Sequence, residues 1–217
     1  MNKQYTILVI SILIFVSCGN TKLNRKASFT SLHKLQQNQS IYPSFLIDFF
    51  PKNVGTEGFV LKTTDITNEC VYMIYYDKVT SDRILSIENA SQKKSIAIYN
   101  ATDPNLVSIR CKSIIHEDPS MEMFYDKIKK GNLMYYPTIY FERDSDYVKE
   151  PSVIYDSNSQ IGLSKDFTVY ILDSKAGKFW KGLPPSEHMP KGWENGYTKG
   201  ICINKKQNLL IYWFVVW

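Results

Sequence analysis

The residues best suited to chemistry lie in segment 182–200, which contains three prolines and four glycines. Trp193 and Tyr197 provide rings that can stack on a sugar or on an apolar partner, because aromatic side chains give a large contact area at a low entropy cost. The polar residues beside them are Glu187, His188 and Lys191. A long, stiff loop of this kind predicts either a binding site for a glycan or a protein, or a lid that packs Trp193 inward and seals a sheet edge.

A nucleophile motif is suggested by residues 196–200, which have the outline of a G-x-S-x-G elbow with Thr198 in the place of serine. That elbow joins a preceding strand to a following helix. Here a loop rich in proline and glycine precedes the motif, and the predicted strand 201–203 follows it. Because this order is reversed, we interpret the motif as a turn that enters a strand and assign it no catalytic residue.

Metal ligands and acid–base groups have no supporting pattern of spacing. Of the histidines His33, His116 and His188, only His116 has another histidine or a cysteine within five residues, namely Cys111, and one such pair falls short of the four ligands of a structural zinc site. Asp144 and Asp146 alternate like calcium ligands, but the glycine and the glutamate that the calcium loop needs are missing. We therefore predict no metal, no cofactor and no catalytic residue. A hydrolase whose acid, base and nucleophile meet only in the folded chain is an alternative.

The N-terminus has the organisation of an export signal. One lysine precedes the apolar run 7–16, which is far shorter than the roughly 20 residues of a membrane-spanning helix. Residues 17–20, Ser-Cys-Gly-Asn, resemble the lipobox of bacterial lipoproteins, in the looser form found in Bacteroidota because Phe15 stands where leucine is usual. The resemblance implies that residues 1–17 are removed and that Cys18 becomes an acylated N-terminus.

The same resemblance implies a location. Acyl chains such as palmitate hold a lipoprotein on a membrane surface without a spanning helix. Because residue 19 is glycine rather than aspartate, the outer membrane is favoured, and the basic stretch 22–26 favours its periplasmic face. Loss of Lys3 with the signal lowers the formal charge from +5 to +4, which is too small to argue for nucleic acid as a partner.

Three cysteines follow the lipobox: Cys70, Cys111 and Cys202. In an oxidising compartment they allow one disulfide and one free thiol, and their spacing leaves all three pairings open. The alternation along residues 107–111 places Cys111 on the apolar side with Val107 and Ile109. Buried packing is therefore a better interpretation of Cys111 than a reactive thiol.

The folded part of the chain is predicted to be one domain over 40–217, which a polar tether over 18–39 joins to the acylated cysteine. Helices are predicted over Pro43–Phe50, from an N-cap at Ser81, and over Asp118–Lys130. Strands are predicted over 58–62, 70–76, 95–99, 106–115, 133–136, 138–141, 152–155, 167–172, 200–203 and 209–217. The last run is apolar throughout, which is typical of a central strand covered on both faces. The fold class is α+β, dominated by antiparallel sheet with two or three covering helices.

Taken together, these patterns favour a non-enzymatic envelope lipoprotein that binds a glycan or an envelope protein through an aromatic-rich surface. The alternatives are a periplasmic hydrolase and a structural subunit of an envelope assembly. A cleft that places His116 or His188 beside a carboxylate or a cysteine would favour the hydrolase. A large exposed apolar patch would favour the structural subunit.

Overall fold

The computed structural model describes residues 41–52, 59–63, 70–109, 136–141, 154–186, 189 and 191–217. Two helices lie in these ranges, α1 (Ser44–Ile47) and α2 (Ser81–Lys94). The strands are β1 (Phe59–Thr63), β2 (Val71–Lys78), β3 (Ala97–Asn100), β4 (Val107–Ile109), β5 (Pro137–Ile139), β6 (Thr168–Ala176), β7 (Gly196–Asn204) and β8 (Leu209–Val216).

Six of these strands form one antiparallel sheet in the order β1-β2-β8-β7-β6-β3. Strands β4 and β5 form a separate two-stranded parallel sheet. The predicted single α+β domain with a mainly antiparallel sheet is confirmed. The third predicted helix, 118–130, lies outside the described residues. The same is true of residues 133–135 of the predicted strand 133–136, and of residues 110–115 of the predicted strand 106–115.

Strand β8 is the centre of the fold. It pairs with β2 on one side and with β7 on the other, and every residue from Leu209 to Val216 is buried. An apolar run without polar alternation must be covered on both faces, and each large apolar side chain buried this way contributes about 1.5–3 kcal/mol. The prediction of a central, doubly covered strand is confirmed.

The alternation of side chains divides the core into two layers, one on each side of the large sheet. The tryptophan side, named for Trp213 and Trp217, is covered by β4, β5 and residues 154–167. The helical side, which contains Tyr75 and Tyr212, is covered by α1, α2 and the segment that follows β6. Cover on both sides explains why β2 and β7 are also buried along nearly their whole lengths.

The start of α2 differs from the prediction. Its N-cap is Thr80, whose side chain makes no capping hydrogen bond, and Ser81 is already the first helical residue. The Ser81 hydroxyl instead donates to Asn208 Oδ1 at 3.1 Å, which links the helix to the turn before β8. This tertiary contact competes with capping, and the helix runs for 14 residues rather than forming a short one.

Other boundaries also differ from the prediction, among them that of β6, which runs to Ala176 rather than to residue 172. Strand β7 begins at Gly196, so the interpretation of residues 196–200 as a turn is wrong. Pairing with β6 and β8 on both sides overrides the weak preference of glycine for strands. In the described part of the predicted strand 152–155, only a single bridge forms, between Tyr155 and Leu163. The predicted helix after Pro43 is one turn long, with Pro43 as its N-cap.

Candidate functional site

Trp193 is the loop residue that the sequence assigned either to binding or to a lid. Its ring is half-buried and stacks on Trp217, with centroids 6.2 Å apart and ring planes 13° from parallel. The Trp217 indole N–H donates to the Trp193 carbonyl at 3.0 Å, and the ring packs against the core of the tryptophan side. The loop thus closes over the end of β8, as the lid interpretation expects.

Other contacts hold the two limbs of this loop together. The Ser186 N–H donates to the Glu194 carbonyl at 2.7 Å. The Asn195 side-chain amide donates to the Pro184 carbonyl at 3.0 Å. Lys191 lies between these limbs and is exposed, whereas Glu187 and His188 lie outside the described residues. Of the five predicted binding residues, the structure therefore describes Trp193, Tyr197 and Lys191.

Tyr197 belongs to strand β7 rather than to the loop, and it faces the helical side of the sheet. Its ring is buried between Phe45 and Phe179, at centroid distances of 5.2 and 4.5 Å. Its hydroxyl donates to Asp173 Oδ2. Burial, followed by this hydrogen bond and the charge of Asp173, raises the pKa of Tyr197, so the phenol stays protonated as a donor. Trp193 and Tyr197 lie on opposite sides of the sheet and do not form one binding surface.

The glycines at the two ends of the elbow-like motif accommodate tryptophan rings. A β-carbon at Gly196 would lie 2.6 Å from Trp217 Cζ2, and one at Gly200 would lie 2.7 Å from Trp213 Cζ2. Thr198, between them, is fully buried and shares a hydrogen bond of 2.6 Å with the Ser174 hydroxyl. The motif is therefore a packing device in the middle of a sheet and presents no accessible nucleophile.

An aromatic patch forms on the helical side from three separate segments of the chain. Its members are Tyr42, Phe45, Phe49, Phe179, Trp180 and Tyr197. Tyr42 contacts Trp180 at a centroid distance of 5.8 Å, and Phe45 contacts Phe179 at 5.9 Å. Four of the six, namely Phe45, Phe49, Phe179 and Trp180, are only half-buried. The patch therefore reaches the molecular surface, where half-exposed aromatic groups commonly mark interaction sites.

A buried lysine fastens this patch to the sheet. Lys199 projects from β7 on the helical side, and its Nζ donates to the Phe45 carbonyl and to Asp48 Oδ1, the latter at 3.0 Å. The same ammonium lies 5.4 Å from the centroid of the Phe49 ring, a cation–π distance. The sequence analysis did not single out Lys199. A signal was present, because Lys199 lies between Tyr197 and Ile201 on the same face of the strand, and a lysine at a buried position almost always has a partner.

Basic residues border the patch where it meets solvent. Lys178 and Lys181 are exposed on either side of the pair Phe179–Trp180. The Lys175 side chain, which is 63% exposed, has its Nζ 3.7 Å from Asp173 Oδ2. Asp173 is therefore in contact with one of these three lysines and with the Tyr197 hydroxyl. The exposed rim is basic.

Two buried carboxylates near α2 are held by cationic partners. Glu88 Oε1 accepts from the Tyr170 hydroxyl at 3.1 Å and from Lys205 Nζ at 2.8 Å. Asp77 Oδ2 lies 3.5 Å from an Arg83 guanidinium nitrogen. These pairs join α2 to β6, to β2 and to the turn after β7. We interpret them as structural contacts.

The cysteines occupy two different states. Cys70 is disulfide-bonded, and its partner lies outside the described residues, as does Cys111. Cys202 is free and buried on the tryptophan side, so the two pairings that involve Cys202 are excluded. Burial raises the pKa of the Cys202 thiol, which keeps it protonated and unsuited to nucleophilic chemistry.

Two further features are absent from the described part of the chain. No group of three or more histidine, cysteine, aspartate or glutamate side chains in the described ranges is placed to hold a metal ion. No helix among the described residues is both long and apolar enough to cross a membrane. Comparison of the whole chain with protein-family models, with curated proteins and with solved structures finds no match.

Proposed function

We propose that this chain is a lipid-anchored envelope protein that binds a partner through the aromatic patch and catalyses no reaction. The observation that carries the binding role is the combination of half-buried rings and an exposed basic rim on one surface. Aromatic side chains that are rigidly packed at one edge and exposed at the other provide contact area without a large loss of entropy on binding. The buried states of Thr198 and Cys202 argue against a nucleophile at either position.

The anchoring role is supported by the sequence of the N-terminus and by one cysteine. Residues 1–17 and Cys18 carry the resemblance to a lipoprotein signal, and the disulfide at Cys70 suits an oxidising compartment outside the cytosol. The proposed location is the periplasmic face of the outer membrane, because Gly19 and the basic stretch 22–26 follow the anchor. Both residues 1–17 and Cys18 lie outside the described residues.

A structural subunit of an envelope assembly is the second candidate. Strand β3 lies at an edge of the large sheet, and Ile96 and Ile98 at this edge are 47% and 49% exposed. Apolar side chains at a sheet edge favour association with another chain. This surface is separate from the aromatic patch, so the two candidates predict different contact residues.

The anchoring proposal is tested by mass spectrometry of the protein purified from its native cells. We expect the signal to be absent and two or three acyl chains to be present on Cys18. A Cys18→Ala variant should lose its membrane association, whereas a Cys202→Ala variant, which changes a buried thiol, should retain it. An intact Met1 without an acyl group would overturn the proposal.

The binding proposal is tested by photo-crosslinking in intact cells. A photoreactive phenylalanine analogue replaces Phe179 in the patch, and the control carries it in place of Lys93, which is exposed on α2. We expect an adduct with a lipid or an envelope protein at position 179 in clear excess over position 93. A third variant with the analogue in place of Ile98 tests the structural-subunit candidate. Equal yields at 179 and 93 would count against the patch as a binding surface.

A further inference from the structure

We propose that the partner of the aromatic patch is the anionic lipid surface that holds the acyl anchor, so that the domain lies against the membrane through this patch. This inference rests on the proposed function, since it names the partner of the same surface. Unlike the proposed function, this inference concerns the orientation of the domain on the membrane. It can fail while the anchoring role and the binding role both hold.

The chemistry of the patch suits the boundary between lipid headgroups and acyl chains. Trp180 is half-buried and combines an apolar ring with a polar N–H group, like the aromatic residues enriched at membrane interfaces. Tyr42, whose ring is buried 5.8 Å away, supports the Trp180 ring from inside the patch. Phe45 and Phe179 add purely apolar edges beside them. Ile41, adjacent to Tyr42 in the chain, is 64% exposed, the largest exposure among the large apolar side chains of the described residues.

The charge of the rim complements an anionic surface. Lys175, Lys178 and Lys181 are all exposed and recur every three residues around Phe179–Trp180. Basic side chains beside exposed aromatic groups are the combination by which interfacial proteins bind anionic lipid. Asp48 is paired with Lys199 at 3.0 Å, and Asp173 lies 3.7 Å from Lys175 and offsets its charge. Lys178 and Lys181, which flank Phe179–Trp180, therefore supply the positive charge of the rim.

The position of the anchor relative to the patch supports the same partner. The described chain begins at Ile41, at the border of the patch, and residues 19–40 connect it to Cys18. A segment of this length spans at most about 75 Å even when it is fully extended. The lipid surface is therefore held at a high effective concentration near the patch, and a contact too weak to act alone becomes populated.

The test uses the full acylated chain in vesicles of phosphatidylcholine and phosphatidylglycerol, with or without bromine on the acyl chains. Bromine quenches tryptophan fluorescence only at short range, so quenching reports which tryptophan touches the lipid. We expect quenching in the unsubstituted chain and in Trp193→Phe, and its loss in Trp180→Phe. Quenching that survives in Trp180→Phe would overturn the inference.

A charge reversal tests the basic rim independently of the tryptophans. Lys178→Glu with Lys181→Glu should reduce the quenching several-fold, and so should a rise in salt concentration. The matched control reverses Lys93 and Lys94, which are exposed on α2. Circular dichroism establishes that each variant is folded. Equal quenching in the two double variants would overturn the inference.

Vesicle flotation separates the possible failures. If the chain from native cells does not float, the anchor is absent, and both the proposed function and this inference fall. If it floats, but Trp180 is not quenched and the crosslinker at position 179 marks a protein, then only the lipid partner is wrong. Flotation with quenching at Trp180 supports both.

Discussion

Gly200 of β7 lies directly opposite Trp213 of β8, and the Trp213 indole occupies the space that a β-carbon at Gly200 would need. The relationship is repeated four residues earlier, where Gly196 and Trp217 exchange two backbone hydrogen bonds of 3.0 Å. Residues four apart in a strand project on the same face, so the two glycines lie on one face of β7. Because neither has a side chain, they leave space for the two tryptophan rings, and this space is called the glycine seat below. A pattern that resembles a nucleophile elbow is thus explained by packing.

Gly200→Ala should destabilise the fold by about 1–3 kcal/mol, because the added methyl group would lie 2.4 Å from the Tyr170 carbonyl oxygen as well as against Trp213. Urea unfolding measured by fluorescence checks the change in the free energy of unfolding. Asn89→Ala on the exposed face of α2 is the control and should stay within about 0.5 kcal/mol of the parent. An unchanged unfolding midpoint for Gly200→Ala would contradict the glycine seat.

Lys199→Met should release α1 from the sheet, since methionine keeps the apolar part of the side chain but lacks the ammonium group that donates to Phe45 and Asp48. We expect a loss of about 1–2 kcal/mol, as is typical for a part-buried hydrogen-bonded group. Hydrogen exchange should be faster at the Asp48 amide, which donates to the Ser44 carbonyl at 2.8 Å. Lys175→Met, at a position that is 63% exposed, is the matched control and should leave exchange in α1 unchanged.

Stability should fall at alkaline pH. Burial is the main cause that raises the pKa of Tyr170 from 10.0 to about 12. The negative charge of Glu88 and the hydrogen bond to Glu88 add to this rise. Because the folded-state pKa is the higher one, the unfolded chain releases the proton first. The contribution of the protonated Tyr170 to the free energy of unfolding is therefore complete below pH 10 and declines as the pH rises toward 12. Burial raises the pKa of Tyr197 and Tyr212 in the same direction.

Urea unfolding between about pH 8 and about pH 12 checks this decline. In the Tyr170→Phe variant, stability should decline less steeply above pH 10 than in the parent protein. The variant should also be less stable at neutral pH, because the hydrogen bond to Glu88 is lost. A free energy of unfolding that stays constant through pH 11 would contradict the shifted pKa.

The two described cysteines should react differently with an alkylating reagent. Without reductant, Cys202 should be labelled only after unfolding, since it is free and fully buried, and Cys70 should resist labelling even in urea. Reduction should then lower the free energy of unfolding by about 2–4 kcal/mol. Peptide mapping by mass spectrometry identifies the labelled thiol. Labelling of Cys70 in the unreduced native protein would contradict the disulfide.

Much of the fold was predictable because it depends on local pattern. The uninterrupted apolar run of β8 requires a strand covered on both faces, and the buried positions Ile84, Glu88 and Ser91 follow the spacing of one helix face. Boundaries were less predictable. The start of β7 at Gly196 depends on its pairing with β6 and β8, and Ser81 is drawn away from capping by Asn208.

The sequence by itself determined the α+β class and the central strand that is covered on both faces. The tertiary structure decided that Trp193 turns toward Trp217 on one side of the sheet and Tyr197 toward Phe45 on the other. It also decided that rings from three distant segments meet in one patch above Lys199. Neighbours along the chain set the type of each element, whereas the burial of apolar surface between distant elements sets which side chains meet.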